Sequence, residues 1–196
     1  MKLKKNTDLN LLILSGSPRK GGNTDLLVEA FVKGASQKHH VEIVSVQDYK
    51  VNPCIGCNAC FKNEGNICAQ KDDMALIYEK ANEADMLVIA SPVYFYGLSA
   101  QLKSVIDRFH NPIRDTFHIQ KMALLLVGAA TLPELFDSIL IEYQLCLNFF
   151  IFLHHFYEFH YILLCHDYFL LCSGIVFCFT LVYTIGETIH YKNFIL

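Results

Sequence analysis

Cys54, Cys57, Cys60 and Cys68 crowd into one polar stretch, the first three at steps of three residues. Thiolates at that spacing can wrap one compact inorganic centre, with a fourth closing it after a loop. Ferredoxin-type [4Fe-4S] sites use the same opening triplet with a remote fourth ligand. A four-thiolate zinc site instead joins two Cys-x-x-Cys knuckles across a longer span, and here the middle cysteine would have to serve both. Four reduced thiols holding no metal are the remaining alternative. Gly56 and Gly65 give the backbone freedom to fold round a centre.

A second chemical signal is the segment Ser15-Gly16-Ser17-Pro18-Arg19-Lys20-Gly21-Gly22-Asn23-Thr24. It follows a short apolar run and precedes a helical pattern, so its hydroxyls and backbone N–H groups gather at a helix N-terminus, a natural phosphate cradle. Arg19 or Lys20 adds positive charge. A P-loop needs Lys and then Ser or Thr after its last glycine, and the dinucleotide fingerprint needs glycines at its first, third and sixth positions. Both fail here. A hydroxyl-rich turn suits one phosphate monoester, as on FMN, better than a pyrophosphate; the plainer alternative is an ordinary strand-to-helix turn.

The third signal is Ser91-Pro92-Val93-Tyr94-Phe95-Tyr96-Gly97-Leu98-Ser99. Three consecutive aromatics in a loop are costly unless something flat covers them. Pro92 stiffens the turn and Gly97 permits close backbone approach. An isoalloxazine ring is one candidate cover; a neighbouring helix or a second subunit is the other.

These segments need elements to hold them, and the pattern supplies an alternation. Strand-like runs are expected at Leu9–Leu14, Val41–Val46, Met86–Ala90 and Lys121–Val127, the third broken by Ser91-Pro92. Helices are expected from a cap at Asn23-Thr24-Asp25, with Leu26, Leu27, Ala30, Phe31 and Gly34 at helical spacing. Others run from Asp72-Asp73 to about Glu83, from Ser99 to Phe109, and from Pro133 to Asn148. That order predicts an α/β fold, a parallel sheet with helices on both faces and strand order 2-1-3-4, a fifth strand coming from the tail. Both candidate ligand loops then fall at the carboxyl edge of the strands, where open α/β sheets bind ligands.

In combination, Ser15-Gly16-Ser17-Pro18-Arg19 with Gly22-Asn23-Thr24, Ser91-Pro92-Val93-Tyr94, Gln101-Leu102-Lys103 and Ile106-Asp107-Arg108 resemble the NAD(P)H-dependent FMN reductase and iron–sulfur flavoprotein group. The resemblance covers about residues 9–148. It implies a flavodoxin-like fold, sheet order 2-1-3-4-5, with Ser15, Ser17, Arg19, Gly22, Asn23 and Thr24 on the FMN phosphate. Pro92, Val93, Tyr94, Phe95, Tyr96 and Gly97 would border the ring. It makes Cys54, Cys57, Cys60 and Cys68 ligand candidates for a [4Fe-4S] cluster, and it implies a homodimer or homotetramer. The implied function is FMN-dependent electron transfer from NAD(P)H or a ferredoxin-like donor to a small-molecule or protein acceptor. A cluster-free NAD(P)H:FMN or quinone reductase is the alternative enzyme, and a non-catalytic flavin-binding or membrane-attached scaffold the alternative of another class. The flavin would carry the chemistry, so no catalytic acid or base is expected; Asp107 and Arg108 read as a structural helix-end pair.

Composition bounds these readings. The chain has 196 residues, enough for one domain with a real core. Net charge is only −3 with no basic face, which argues against nucleic acid. The basic start Lys2-Leu3-Lys4-Lys5 is followed by polar residues and too short an apolar run for an export signal, so the cytoplasm is expected.

The chain changes character near residue 149: beyond it the charged residues are Glu158, Asp167, Glu187 and Lys192. Residues 1–148 therefore read as the FMN-binding domain and 149–196 as an atypical apolar segment. Three readings of that segment stand. The uncharged run Tyr168–Gly186 is long enough to anchor in a membrane; the tail is a shifted reading frame; or Ile175–Tyr183 supplies the missing strand. His154, His155, His160 and His166 lie in so biased a stretch that their spacing argues little for a metal.

Overall fold

A computed structural model of the chain describes residues 8–129, 133–151, 159–164 and 177–185. In order, the elements are β1 (Asn10–Ser15), α1 (Asn23–Ala35), β2 (His40–Ser45), α2 (Met74–Glu83), β3 (Met86–Pro92) and α3 (Ala100–Arg108). They continue with β4 (Lys121–Gly128), α4 (Asp137–Ile151), β5 (Phe159–Leu164) and β6 (Phe177–Ile185).

The sheet order is β2-β1-β3-β4-β6-β5, and the first four strands are parallel, as expected from the alternation. The register sets Ile13 beside Ile43 and Val88, and Val88 beside Ala123. β3 is buried along its whole length, which is why it reads as an unbroken apolar run. Residues of alternate parity feed two apolar layers. Leu12, Leu14, Leu87, Ile89, Leu124 and Leu126 meet Met74, Ile77, Leu102, Val105 and Ile139 from α2, α3 and α4. Leu11, Ile13, Val88, Ala123 and Leu125 form the other layer with Val28 of α1.

The helices follow from their apolar spacing. Met74, Ile77, Tyr78 and Ala81 make one buried stripe on α2, and Leu102, Val105 and Phe109 mark α3. The Ser99 side chain caps α3 by accepting from the Leu102 N–H, a contact of a type that contributes about 1 kcal/mol.

Three details differ from expectation. The cap of α1 is Gly22, and Asp25 turns its carboxylate back to accept the Gly21 N–H at 2.7 Å. The inward stripe of α1 is Thr24 and Val28 with Leu27, Phe31 and Val32 beside them, while Leu26 and Ala30 face outward. β3 also runs through Ser91-Pro92 instead of breaking there. Proline has no N–H to lose at a strand's last position, and its neighbour Val93 donates to Val127 O at 2.7 Å.

Beyond β4 the parallel pattern changes. The position next to β4 is filled by β6 in antiparallel sense, and β5 pairs antiparallel with β6 one place further out. β5 thus runs parallel to β4, and the chain returns as β6 between them. His154, His155 and His166, and most of the uncharged run from Tyr168, lie outside the described residues. Among the described residues no helix is long and apolar enough to cross a membrane.

Candidate functional site

The turn after β1 is built on its own hydroxyls. Ser17 is buried; its Oγ donates to Arg19 O at 2.7 Å and accepts from the Arg19 N–H. Gly21 takes a φ of +68°, the left-handed turn that delivers the chain to α1. Gly22, Asn23 and Thr24 then form the start of a 13-residue helix whose first turn has no side-chain cap, so its N–H groups face the turn. Ser15, the last residue of β1, is 3% exposed, and its Oγ has no hydrogen-bond partner among the described residues. Lys20 pairs with Asp48 at 3.2 Å on the surface, while Arg19 is exposed and in no ion pair among the described residues. An orphaned hydroxyl and an uncapped helix N-terminus are what an anionic phosphate would satisfy.

The second loop is a tight hairpin. Tyr94 and Gly97 exchange both backbone hydrogen bonds, at 3.0 and 3.1 Å. Phe95 and Tyr96 between them have φ of +47° and +65°. Such positions favour Asn and Gly, and a bulky side chain there costs about 1–3 kcal/mol each. The strain therefore sits on the two aromatics and not on Gly97, where an added Cβ would meet only Tyr94 O at 3.7 Å. Phe95 is 98% exposed at the tip, and Tyr94 and Tyr96 are each nearly half exposed. The Ser138 hydroxyl of α4 holds the Tyr96 carbonyl.

The two loops are locked together by residues that sequence reasoning did not single out for this role. Gly16 donates to Ala90 O at 2.7 Å, and a Cβ on Gly16 would lie 2.6 Å from Ser99 Oγ and 2.7 Å from Leu102 Cβ. Ser91, wholly buried beneath the hairpin, donates to Pro92 O and accepts the Ser99 N–H at 3.0 Å. Small residues at a strand end and a helix start were the available signal.

The cysteine stretch lies between β2 and α2. Cys54 and Cys57 are exposed, Cys60 and Cys68 half-buried, and all four are free thiols. Gly56, Asn58, Gly65 and Asn66 take left-handed φ, so the backbone curls repeatedly, Gly56 and Gly65 as expected. Burial pushes the Cys60 thiol up, and Cys68, Cys54 and Cys57 push it the same way, which puts the four in one electrostatic neighbourhood. Among the described residues no three His, Cys, Asp or Glu side chains are gathered tightly enough to hold a metal ion. The soft, four-thiol donor set nevertheless fits an iron–sulfur cluster in kind.

The sequence makes Asp107 and Arg108 a helix-end pair, and the structure separates them. Asp107 instead pairs with Lys103, and Arg108 pairs with the buried Asp72 at the neck of the cysteine loop. Burial pushes the Asp72 carboxyl up, but hydrogen bonds from Arg108, Asn52 and Met74 outweigh it and leave it below the ordinary range.

Residues 9–157 match the family described as NADPH-dependent FMN reductase. The chain belongs to that family. An iron-sulfur flavoprotein of Methanocaldococcus jannaschii is 46% identical over 113 residues, 57% of each chain. An iron-sulfur flavoprotein of Methanosarcina thermophila is 38% identical over 96 residues, 48% of this chain and 49% of that one. This chain thus spans about half the length of the relatives it matches. An NAD(P)H:quinone oxidoreductase from Methanothermobacter marburgensis shares the fold, with a TM-score of 0.60 and 18% identity over 74% of this chain and 79% of that one. Family membership agrees with the flavodoxin-like architecture and with two candidate ligand loops at one sheet edge.

Proposed function

We propose that this chain binds FMN at the carboxyl edge of its sheet and works as an FMN-dependent oxidoreductase. The observation that carries the reading is a turn with an unsatisfied Ser15 hydroxyl at its start and the uncapped first turn of α1 at its end, locked through Gly16 to a strained, exposed aromatic hairpin. Ser15, Gly22, Asn23 and Thr24 would hold the phosphate, with Arg19 supplying charge and Ser17 shaping the turn. Pro92, Val93, Tyr94, Phe95, Tyr96 and Gly97 would border the ring, and the exposed hairpin tip is where a second copy would complete the pocket. FMN held there would supply the redox chemistry, taking up a hydride from NAD(P)H and passing electrons on singly or in pairs.

The finer reading adds a [4Fe-4S] cluster held by Cys54, Cys57, Cys60 and Cys68, suited to a one-electron partner. It is supported by the thiol set and by relatives named iron-sulfur flavoprotein. The rival is a cluster-free NAD(P)H:FMN or quinone reductase, favoured by the exposure of Cys54 and Cys57.

An anaerobic visible spectrum, with FMN, iron and sulfide assayed on the same sample, tests these readings. Flavin with about four irons per chain is expected. Flavin without iron would leave the reductase reading, and absence of both would sink the proposal. Flavin that neither NADH nor NADPH reduces would favour a non-catalytic scaffold. Cys57→Ala should remove iron and leave flavin.

A further inference from the structure

The cysteine stretch departs from the fold and returns to it through a narrow neck. On the outgoing side the Asn52 N–H donates to Asp72 Oδ2 at 2.9 Å, and Asn52 O accepts from Arg108 Nη1 at 3.0 Å. Arg108 holds Asp72 with both terminal nitrogens, at 2.8 and 3.2 Å. One guanidinium at the end of α3 therefore grips both sides of the neck. Just inside it, Gln70 Nε2 donates to Pro53 O at 2.9 Å, bridging the residues beside Cys54 and Cys68. Asn111, three residues after Arg108, donates to Asn66 O at 2.9 Å. The opposite end of α3 is the Ser99 cap packed on Gly16 and bonded to Ser91. A nine-residue helix thus joins the cysteine neck to the two loops assigned to FMN.

We propose that Arg108, through Asp72 and the Asn52 carbonyl, is a positioning residue that holds the neck closed and so fixes where the cysteine-bearing segment leaves and rejoins the fold. The geometry selects arginine. Two parallel contacts to a carboxylate and a third to a carbonyl need a planar fork, and lysine, with a single ammonium, cannot satisfy all three. The metal-binding consequence rests on the cluster reading above; the closure of the neck does not.

The test uses the full chain, its Arg108→Lys variant and the milder Gln70→Ala variant, with two readouts: backbone amide exchange, and iron per chain at equal flavin. In Arg108→Lys, exchange at Asn52 and Asp73 should quicken about tenfold, the scale of one lost charged hydrogen bond, while amides of β1 and β3 hold their rates. Iron should fall severalfold with flavin retained. Gln70→Ala should show the same pattern more weakly, and it carries the test if Arg108→Lys loses protection throughout. If the parent holds no iron but the exchange contrast persists, the neck role stands and the cluster reading falls. Unchanged exchange at Asn52 and Asp73 in both variants overturns the proposal, as does full iron retention in variants whose neck has opened.

Discussion

Arg108 and Asp72 lie 36 residues apart and form a two-pronged ion pair, with side chains 3% and 1% exposed. At that burial little water reaches either charge, so each is held by the other and by backbone groups, the Asn52 and Met74 N–H on Asp72 and the Asn52 carbonyl on Arg108. Arg108→Met should cost about 3–5 kcal/mol, because it strands a buried carboxylate. Denaturant unfolding at neutral pH measures it, and a loss under 1 kcal/mol would show that water reaches the pair.

The same pair sets an acid limit. Folded Asp72 binds its proton less readily than the ordinary carboxyl with its value of 3.8. Its contribution is therefore fully present above that value and is lost as pH falls through the lower folded one. Asp72→Asn should lower stability at neutral pH and flatten this part of the acid limb. Parallel pH–stability curves for parent and variant would contradict the assignment.

Gly16 and Gly34 offer a matched contrast. A methyl on Gly16 would strike Ser99 and Leu102 within 3 Å, whereas among the described residues one on Gly34 meets nothing within 4 Å. Gly16→Ala should cost about 1–3 kcal/mol by overpacking. Gly34→Ala should gain about 0.5 kcal/mol by restricting the unfolded chain. Flavin affinity should fall only in the first. Two melting curves and a flavin titration decide it.

Ser15→Ala should separate stability from binding. Removing a buried hydroxyl with no partner should leave the flavin-free protein as stable or about 1 kcal/mol more so. Affinity for FMN should drop about tenfold if that hydroxyl serves the phosphate. Equal FMN affinity in parent and variant would remove Ser15 from the site.

Phe95 carries backbone strain at full exposure, so its side chain gives little back to the folded state. Phe95→Asn, a residue that tolerates positive φ, should raise stability by about 1 kcal/mol and weaken flavin or substrate binding. A variant that loses stability would mean that the ring is packed after all.

What the sequence discloses and what it hides divide along physical lines. The run Met86–Ala90 is a continuous apolar signal and the stripe Met74, Ile77, Tyr78, Ala81 a periodic one, and both elements stand where those signals put them, β3 reaching two residues further. The cysteine spacing was likewise plain to read. The Arg108–Asp72 pair was hidden because nothing local distinguishes an arginine that reaches across the fold from one that pairs with its neighbour Asp107. Phe95 and Tyr96 gave the opposite of the usual turn signal, so glycine at 97 drew the inference that belonged to them. For β6, apolar composition indicates a strand but says nothing of its direction, and its antiparallel insertion beside β4 was not foreseeable.

The hydrogen bond from Asn52 to Asp72 joins residues 20 positions apart and closes a circuit at its base. Once its ends are tied, the chain between them can be exchanged almost freely, since doubling such a circuit costs only about 0.6 kcal/mol of closure entropy. The neck makes the cysteine segment a detachable cartridge. Mutation can lengthen it or strip its thiols while the neck contacts of Arg108, Asp72 and Asn52 stay in place.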